Sequence, residues 1–173
     1  MKLLSLDLST TSTGYAVFRD NQLESSGTIA LRIKDWKERI KEIYQIVYHL
    51  ILKEKHPYEV IEVVTEKPLS LQNGDTTIKL AKLHGLILSI CFQEKIELYE
   101  IDNQTWKKHI AGAKASKEQT KKHLEIFYQY KTETFDEADA IGVGLGWMAE
   151  QRLKEKMEKY APVKRMRKSR KAA

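Results

Sequence analysis

The stretch "LSLDLSTTSTGYAVF", Leu4 to Phe18, decides how the rest of the chain is read. An apolar strand carries one carboxylate, Asp7, and runs directly into the hydroxyl residues Ser9 to Thr13 and then Gly14. Two chemistries can use such a turn. It can cradle a phosphate, with Asp7 incidental, or it can follow a strand whose carboxylate holds a metal ion. The choice depends on what other acids the fold brings beside Asp7.

Working outward, residues 2–8 read as a buried strand. "GYAVFRD" and "QLESSGTIAL" follow as two more strands, with Asp20-Asn21 as the turn of an antiparallel hairpin. From Asp35 to about Lys55 the apolar positions Trp36, Ile40, Ile43, Ile46, Val47, Leu50 and Ile51 recur at helical spacing, with Asp35 as N-cap and His56-Pro57 as the stop. "EVIEVVTE" (59–66) reads as a central strand, β-branched and mostly apolar. "NGDTTIKLAKLHGLILSICFQEK" (73–95) predicts a second long helix and "IELYEI" (96–101) a further strand. "NQTWKKHI" predicts a short helix and "AGAKA" a loop. Ser116 with Gln119 forms a capping box at the start of another helix, and a last helix runs from near Phe135 towards Tyr160. This order predicts an α/β fold with a mixed five-stranded sheet, three antiparallel strands followed by two parallel ones, flanked by helices.

Most acids fall among lysines on what read as solvated helix faces, including Glu38, Glu42, Glu54, Glu150, Glu155 and Glu158. Four do not. Asp7 lies in the first strand, Glu66 ends the strand 59–66, and Asp136 and Asp139 open the last helix as "DEADAIGVG". Residues three apart on a helix share a face, so these two aspartates are neighbours and Glu137 points elsewhere. Capping accounts for one of them but not for a pair that passes into the apolar "AIGVGLGW". Gly142, Gly144 and Gly146 each cost roughly 1 kcal/mol against alanine in a helix, and close packing on the sheet is the expected reason for them. If the first and fourth strands are neighbours, Asp7 approaches Glu66. Buried carboxylates crowded together need cations, and an all-oxygen set selects hard ions such as Mg²⁺ or Mn²⁺. His49, His56, His84, His109 and His123 are scattered, without zinc spacing. The chain has no GxxxxGK[ST] loop and no GxSxG elbow.

Charge adds a partner class. The net charge is +6, and "YAPVKRMRKSRKAA" (160–173) holds six basic residues and no acid. Without them 24 basic residues balance 24 acidic ones, so the tail carries the whole excess. Such a tail suits a polyanion. The expected division is a folded domain over 1–158 and a basic tail over 159–173. A single cysteine, Cys91, fits a reducing cytoplasm and reads as a small buried hydrophobe. No membrane span or signal peptide is expected.

Together, "LSLDLSTTSTGYAVF", "VVTEKPLSLQNGDTTIKLAKLHGLI" and "DEADAIGVG" resemble the RuvC family of Holliday junction resolvases, in the ribonuclease H-like (retroviral integrase) superfamily. The resemblance spans about residues 2–147, and the short, lysine-heavy chain is most similar to the family's phage-encoded branch. It implies a ribonuclease H-like fold and structure-selective cleavage of branched DNA. It implies two Mg²⁺ ions on Asp7, Glu66, Asp136 and Asp139, with Mn²⁺ as a substitute, and attack by water that leaves a 5′ phosphate. It places Lys107 and Lys117 near the scissile phosphate. DNA contacts are expected from Lys67, Leu69, Lys108 and Lys114, and from Lys164, Arg165, Arg167 and Lys168 in the tail. A homodimer through the helix around 76–93 is implied, whose apolar residues nearly surround it. Where bacterial members carry an aromatic three residues after the glutamate, this chain has Leu69, which predicts broader cleavage that includes forks and three-way junctions. Three readings compete. One is another ribonuclease H-like nuclease acting on RNA or RNA–DNA hybrids. A second is an actin-like or sugar-kinase-like phosphotransferase, which would need a second domain. The third is a non-catalytic branched-DNA binding protein.

Overall fold

The computed structural model describes residues 2–55, 61–68 and 74–160. Its elements are β1 (Lys2–Asp7), β2 (Ser12–Arg19), β3 (Gln22–Ala30), α1 (Trp36–Glu54), β4 (Ile61–Glu66), α2 (Gly74–Glu94), β5 (Leu98–Ile101), α3 (Asn103–Ile110), α4 (Lys117–Tyr128) and α5 (Phe135–Tyr160). The sheet order is β3-β2-β1-β4-β5. β1, β2 and β3 pair antiparallel, and β4 and β5 add in parallel. The expected mixed α/β sheet is therefore present. Strand ends differ slightly from the sequence reading: β1 stops at Asp7, β2 begins at Ser12, and β5 begins at Leu98. His56-Pro57, the first two residues of the 59–66 strand, and Leu69 lie outside the described residues, as do Lys164, Arg165, Arg167 and Lys168.

The hairpin turn is left-handed at both central residues, with φ of 50° at Asp20 and 67° at Asn21, the backbone that a two-residue hairpin demands and that Asp and Asn tolerate. Asp35 caps α1 by accepting from the backbone N–H groups of Lys37 and Glu38, and Ser116 with Gln119 forms the capping box of α4.

Helices cover both faces of the sheet. Strand alternation sends Leu4 and Leu6 of β1 with Val63 of β4 into a core shared with Ile43, Val47 and Ile51 of α1 and Leu83, Ile87 and Ile90 of α2. Leu3 and Val64 point the other way, against Trp106 of α3, Leu124 of α4, and Ile141 and Val143 of α5. The same period assigns Ser5 and Asp7, Glu62 and Glu66, and Ser12, Gly14 and Ala16 to the α5 side. β1 is buried from both faces because it is central, so that even its Lys2 and Ser5 are buried.

Two acids read as solvated have other roles. Glu54 is buried and pairs with the equally buried Lys2, Nζ to Oε2 2.5 Å. Glu150 accepts from His109 Nε2 at 2.6 Å. The α5 glycines serve two packing surfaces rather than one. A Cβ at Gly144 would meet Phe18 and Ser5 of the sheet, but at Gly142 and Gly146 it would meet Trp106 of α3 at 2.5 Å. Trp106 thus sits in a notch cut into α5.

Candidate active site

The carboxyl-terminal ends of β1 and β4 lie side by side. Leu6 pairs with Thr65 in parallel register, so Asp7 and Glu66 stand next to each other on the face that α5 covers. The amino-terminal turn of α5 passes over them. Its N-cap is Thr134, whose Oγ1 accepts from the Glu137 N–H and whose carbonyl accepts from the Ala138 N–H. Asp136 and Asp139 are therefore not needed as caps. Glu137 turns away, as its spacing predicts, and is held by Ser26 and by the Glu133 N–H.

The four acids feel one another. Burial first, then the charges of Asp139 and Glu66, push the Asp7 carboxyl up to about 7, with Lys117 opposing and Asp136 adding a smaller push. Asp139 is also raised, mainly by burial, while Lys117 and Lys107 pull it down. The four acids Asp7, Glu66, Asp136 and Asp139 thus come from three elements, β1, β4 and α5, with Lys117 of α4 and Lys107 of α3 beside them.

Each carboxylate except Asp7 has a described donor. Asn103 Nδ2 and Trp106 Nε1 both donate to Glu66 Oε2 at 2.9 Å. Ser12 Oγ donates to Asp136 Oδ2 at 2.5 Å. Lys117 Nζ bridges the aspartate pair, 3.1 Å from Asp139 Oδ2 and 3.4 Å from Asp136 Oδ1. Asn103, Trp106 and Ser12 went unnoticed in the sequence. Ser12 is close to Asp7 in the chain but 124 residues from its partner.

The hydroxyl turn is internally wired. Thr13 Oγ1 donates to the Ser9 carbonyl and accepts from the Ser9 N–H, and Ser9 Oγ accepts from the Thr11 N–H. These hydroxyls satisfy the turn's own backbone, and Ser12 takes the further task of orienting Asp136. Arg39 of α1 braces the same turn by donating to the Thr10 carbonyl.

Do these residues suit a metal ion? Among the described residues no three His, Cys, Asp or Glu side chains are arranged to hold one as they stand. The donors above explain this: Glu66, Asp136 and Asp139 each lean on a protein group. Two observations nevertheless fit a cation. Asp139 Oδ1 is buried without a hydrogen-bond partner, a costly state for a carboxylate oxygen. The Asp7 acid is elevated first by burial and then by the charges of Asp139 and Glu66, which Lys117 opposes. An all-carboxylate set with one oxygen unpaired suits a hard divalent ion, and Lys117 is its internal counter-ion.

Of the other predicted contacts, Lys67 lies at this end of the sheet. Lys67 is exposed and lines a cavity of about 100 Å³ with Asp7, Leu8, Glu66, Pro68, Leu80 and His84. Lys107 lies over the Trp106 ring at 5.4 Å. Lys108 and Lys114 are exposed. A larger cavity of about 430 Å³, lined by Asp20, Glu62, Tyr99, Trp147 and Arg152 among others, lies at the opposite end of the sheet. The acids occupy a shallow edge, which suits a polymer better than a small enclosed ligand.

The family model for "Crossover junction endodeoxyribonuclease RuvC" matches residues 3–147. Curated relatives of that name from Salmonella choleraesuis (strain SC-B67) and Serratia proteamaculans (strain 568) are each 24% identical over 149 residues, covering 83% of this chain and 84% of theirs. Among solved structures, RuvC of T. thermophilus in complex with a Holliday junction substrate superposes with a TM-score of 0.75 at 18% identity, over 89% of this chain and 96% of that one. The Thermus thermophilus RuvC structure gives a TM-score of 0.71 at 18% identity, over 89% and 97%. The family match covers the strand of Asp7, the strand of Glu66 and the turn of α5 that bears Asp136 and Asp139. The chain belongs to the RuvC family of crossover junction endodeoxyribonucleases.

Proposed function

We propose that this protein is a divalent-metal-dependent endonuclease that resolves four-way DNA junctions by cutting opposed strands. The observation that carries this reading is the convergence of Asp7, Glu66, Asp136 and Asp139 from β1, β4 and α5 at one shallow edge, in a chain matched by the resolvase family over 3–147. Asp7 is the central ligand and the other three acids complete the set, for Mg²⁺ or Mn²⁺ and for two ions. A cation held there supplies a nucleophilic water at neutral pH and charge stabilisation at the leaving oxygen. The chain's own parts have separate tasks. Trp106 and Asn103 orient Glu66, Ser12 orients Asp136, and Lys117 and Lys107 face the phosphate. Lys67, Lys108 and Lys114, with Leu69 and the tail residues Lys164, Arg165, Arg167 and Lys168, contact DNA.

Two strands cut at a two-fold substrate call for a two-fold protein. The homodimer pairs through α2, which exposes Ile78 by 56% and Phe92 by 72%, too much apolar surface for an unpartnered helix. Acting on DNA, it works in the cytoplasm of a bacterial or phage-infected cell.

The test is purified protein with Mg²⁺ on labelled four-way junction, three-way junction, fork, linear duplex and RNA–DNA hybrid in parallel. Paired cuts in the four-way junction, weaker cuts in forks and three-way junctions, and an intact duplex and hybrid are expected. Preferential cutting of the hybrid would overturn the substrate assignment. Strict confinement to four-way junctions would remove the role given to Leu69.

Two variants probe the surroundings. Lys117→Ala should bind Mn²⁺ more tightly in the absence of DNA, read by titration calorimetry, while cutting poorly. Losing its ammonium leaves Asp136 and Asp139 without their internal counter-ion. Weaker Mn²⁺ binding would show that Lys117 organises the site instead. Deleting 161–173 should flatten the salt dependence of DNA binding, since each phosphate contact contributes a slope of about 0.9 in log K against log salt. An unchanged slope would remove the tail from the interface.

A further inference from the structure

Three ammonium groups gather around one indole at the edge of the α1–α2 layer. Trp36 opens α1, half-buried against the core. Lys37 Nζ lies 5.9 Å from its ring centroid, Lys79 Nζ 5.5 Å and Lys82 Nζ 5.1 Å. Each such contact with the ring stabilises only weakly, and like charges so placed repel. Lys79 pairs with Asp75. Among the described residues Lys37 and Lys82 form no ion pair with a carboxylate, and both are exposed.

The cluster is fixed to the acidic site at two points. Arg39, one turn into α1, donates to the carbonyls of Thr10, Ile33 and Lys34. It thereby ties the start of α1 to the turn that begins just after Asp7. On α2, Leu80 and His84 line the cavity that contains Asp7 and Glu66, and Lys79 and Lys82 belong to the same two turns but point away from that cavity, on the face that meets Trp36. Both features lie at the end of the sheet where β1, β3 and β4 terminate. The indole is not a stacking platform, because its body packs on the core and ammonium groups lie over its ring. Phosphates can reach the cluster; bases cannot.

We propose that Trp36, Lys37, Lys79 and Lys82 form a grip for the phosphate backbone of double-stranded DNA, holding a duplex arm that leads away from the cut. The indole pre-positions the lysines, and the affinity it creates is independent of sequence. This rests on reading the acidic site as a DNA nuclease.

The experiment measures binding of a fluorescent four-way junction across a salt series, with Asp7→Asn throughout so that nothing is cut. Lys37→Ala/Lys82→Ala is compared with its parent, and the melting temperatures of the two are matched first, since both lysines are exposed. Removing two phosphate contacts from each protomer, four in the homodimer, should lower the salt slope by about 3.6 and weaken binding at least about tenfold at low salt. Arms shortened to a few base pairs should erase the difference between the two proteins. An unchanged slope with long arms overturns the grip and leaves the nuclease reading intact. Failure of the parent to bind any junction overturns both. Loss of polyaspartate binding by the double variant, with an unchanged DNA slope, assigns the patch to an acidic protein and overturns the grip.

Discussion

Asp7→Asn is expected to cut junctions at least about 10³-fold more slowly with Mg²⁺, the scale on which removing one essential electrostatic group acts, while binding the same junction undiminished. The DNA contacts proposed above are lysines and arginines, and the loss of a negative charge beside the DNA can only favour binding. The same substitution should stabilise the metal-free protein above neutral pH. The sign follows from the direction of the shift. The Asp7 carboxyl is raised to about 7 from 3.8, chiefly by burial and then by Asp139 and Glu66. The folded state therefore holds this proton where the unfolded chain has released it. Stability contributed by Asp7 is full below about pH 4, falls as the pH rises towards about 7, and stays lost beyond it. At 1.36 kcal/mol for each pH unit, the loss has a ceiling of about 4 kcal/mol. Asparagine carries no such charge and removes the penalty.

Melting temperatures of wild type and Asp7→Asn, followed from pH 4 to pH 8 in chelator, should therefore diverge, with the two level at pH 4 and the variant increasingly ahead towards pH 8. His84, whose imidazole is pushed down by burial, contributes in the opposite sense at the acidic end. It is common to both proteins and drops out of the comparison. Mg²⁺ or Mn²⁺ should raise the wild-type melting temperature at pH 8 and do little at pH 5, where protons already occupy the site. Equal pH profiles for the two proteins, or normal cutting by the variant, would show that Asp7 is not the centre of the site.

How much of this was legible in the sequence depends on how far apart the interacting parts lie. Strand alternation alone assigns Asp7 and Glu66 to one face once β1 and β4 are neighbours, and a spacing of three pairs Asp136 with Asp139. Caps are equally local, so Asp35 and the Ser116–Gln119 box were readable. What escaped is what only packing decides. Trp106 reads as one aromatic in a short helix; in the fold it is fully buried in the notch of α5 and turns its Nε1–H to Glu66, 40 residues away. Glu54 looks like any acid near the end of a lysine-rich helix, yet Lys2 at the start of β1 reaches it and buries the pair. Gly142 and Gly146 signalled close approach correctly, but a missing side chain does not say what approaches. The hydroxyl run signalled a turn, and only the path of α5 over β2 selects Ser12, rather than its neighbours, to hold Asp136.

That path makes Gly14 the position where a single methyl group should do most harm to the fold and the site together. Gly14 pairs with Asp7 across the β1–β2 ladder and lies under the first turn of α5. A Cβ built there would stand 1.9 Å from the Asp136 carbonyl oxygen and 2.4 Å from its carbon. Both obstacles are backbone, so no rotamer change relieves them. α5 must lift from the sheet, or β2 must bend away from β1. Overpacking a core typically costs about 1–3 kcal/mol, and a backbone clash in a helix packed on four strands belongs at or above the top of that range. Gly14→Ala is therefore expected to lower stability by about 3 kcal/mol or more, read as a fall in the urea midpoint. Lifting α5 also draws Asp136 and Asp139 away from Asp7 and Glu66, so the folded fraction should bind Mn²⁺ more weakly and cut little at any metal concentration. Ser12→Ala separates the two effects. It removes only the 2.5 Å bond to Asp136, so it should leave the urea midpoint within about 1 kcal/mol while reducing metal affinity. If Gly14→Ala folds as stably as wild type, α5 does not cross β2 as closely as described. If it is unstable yet binds Mn²⁺ normally, the first turn of α5 is not what places Asp136 and Asp139.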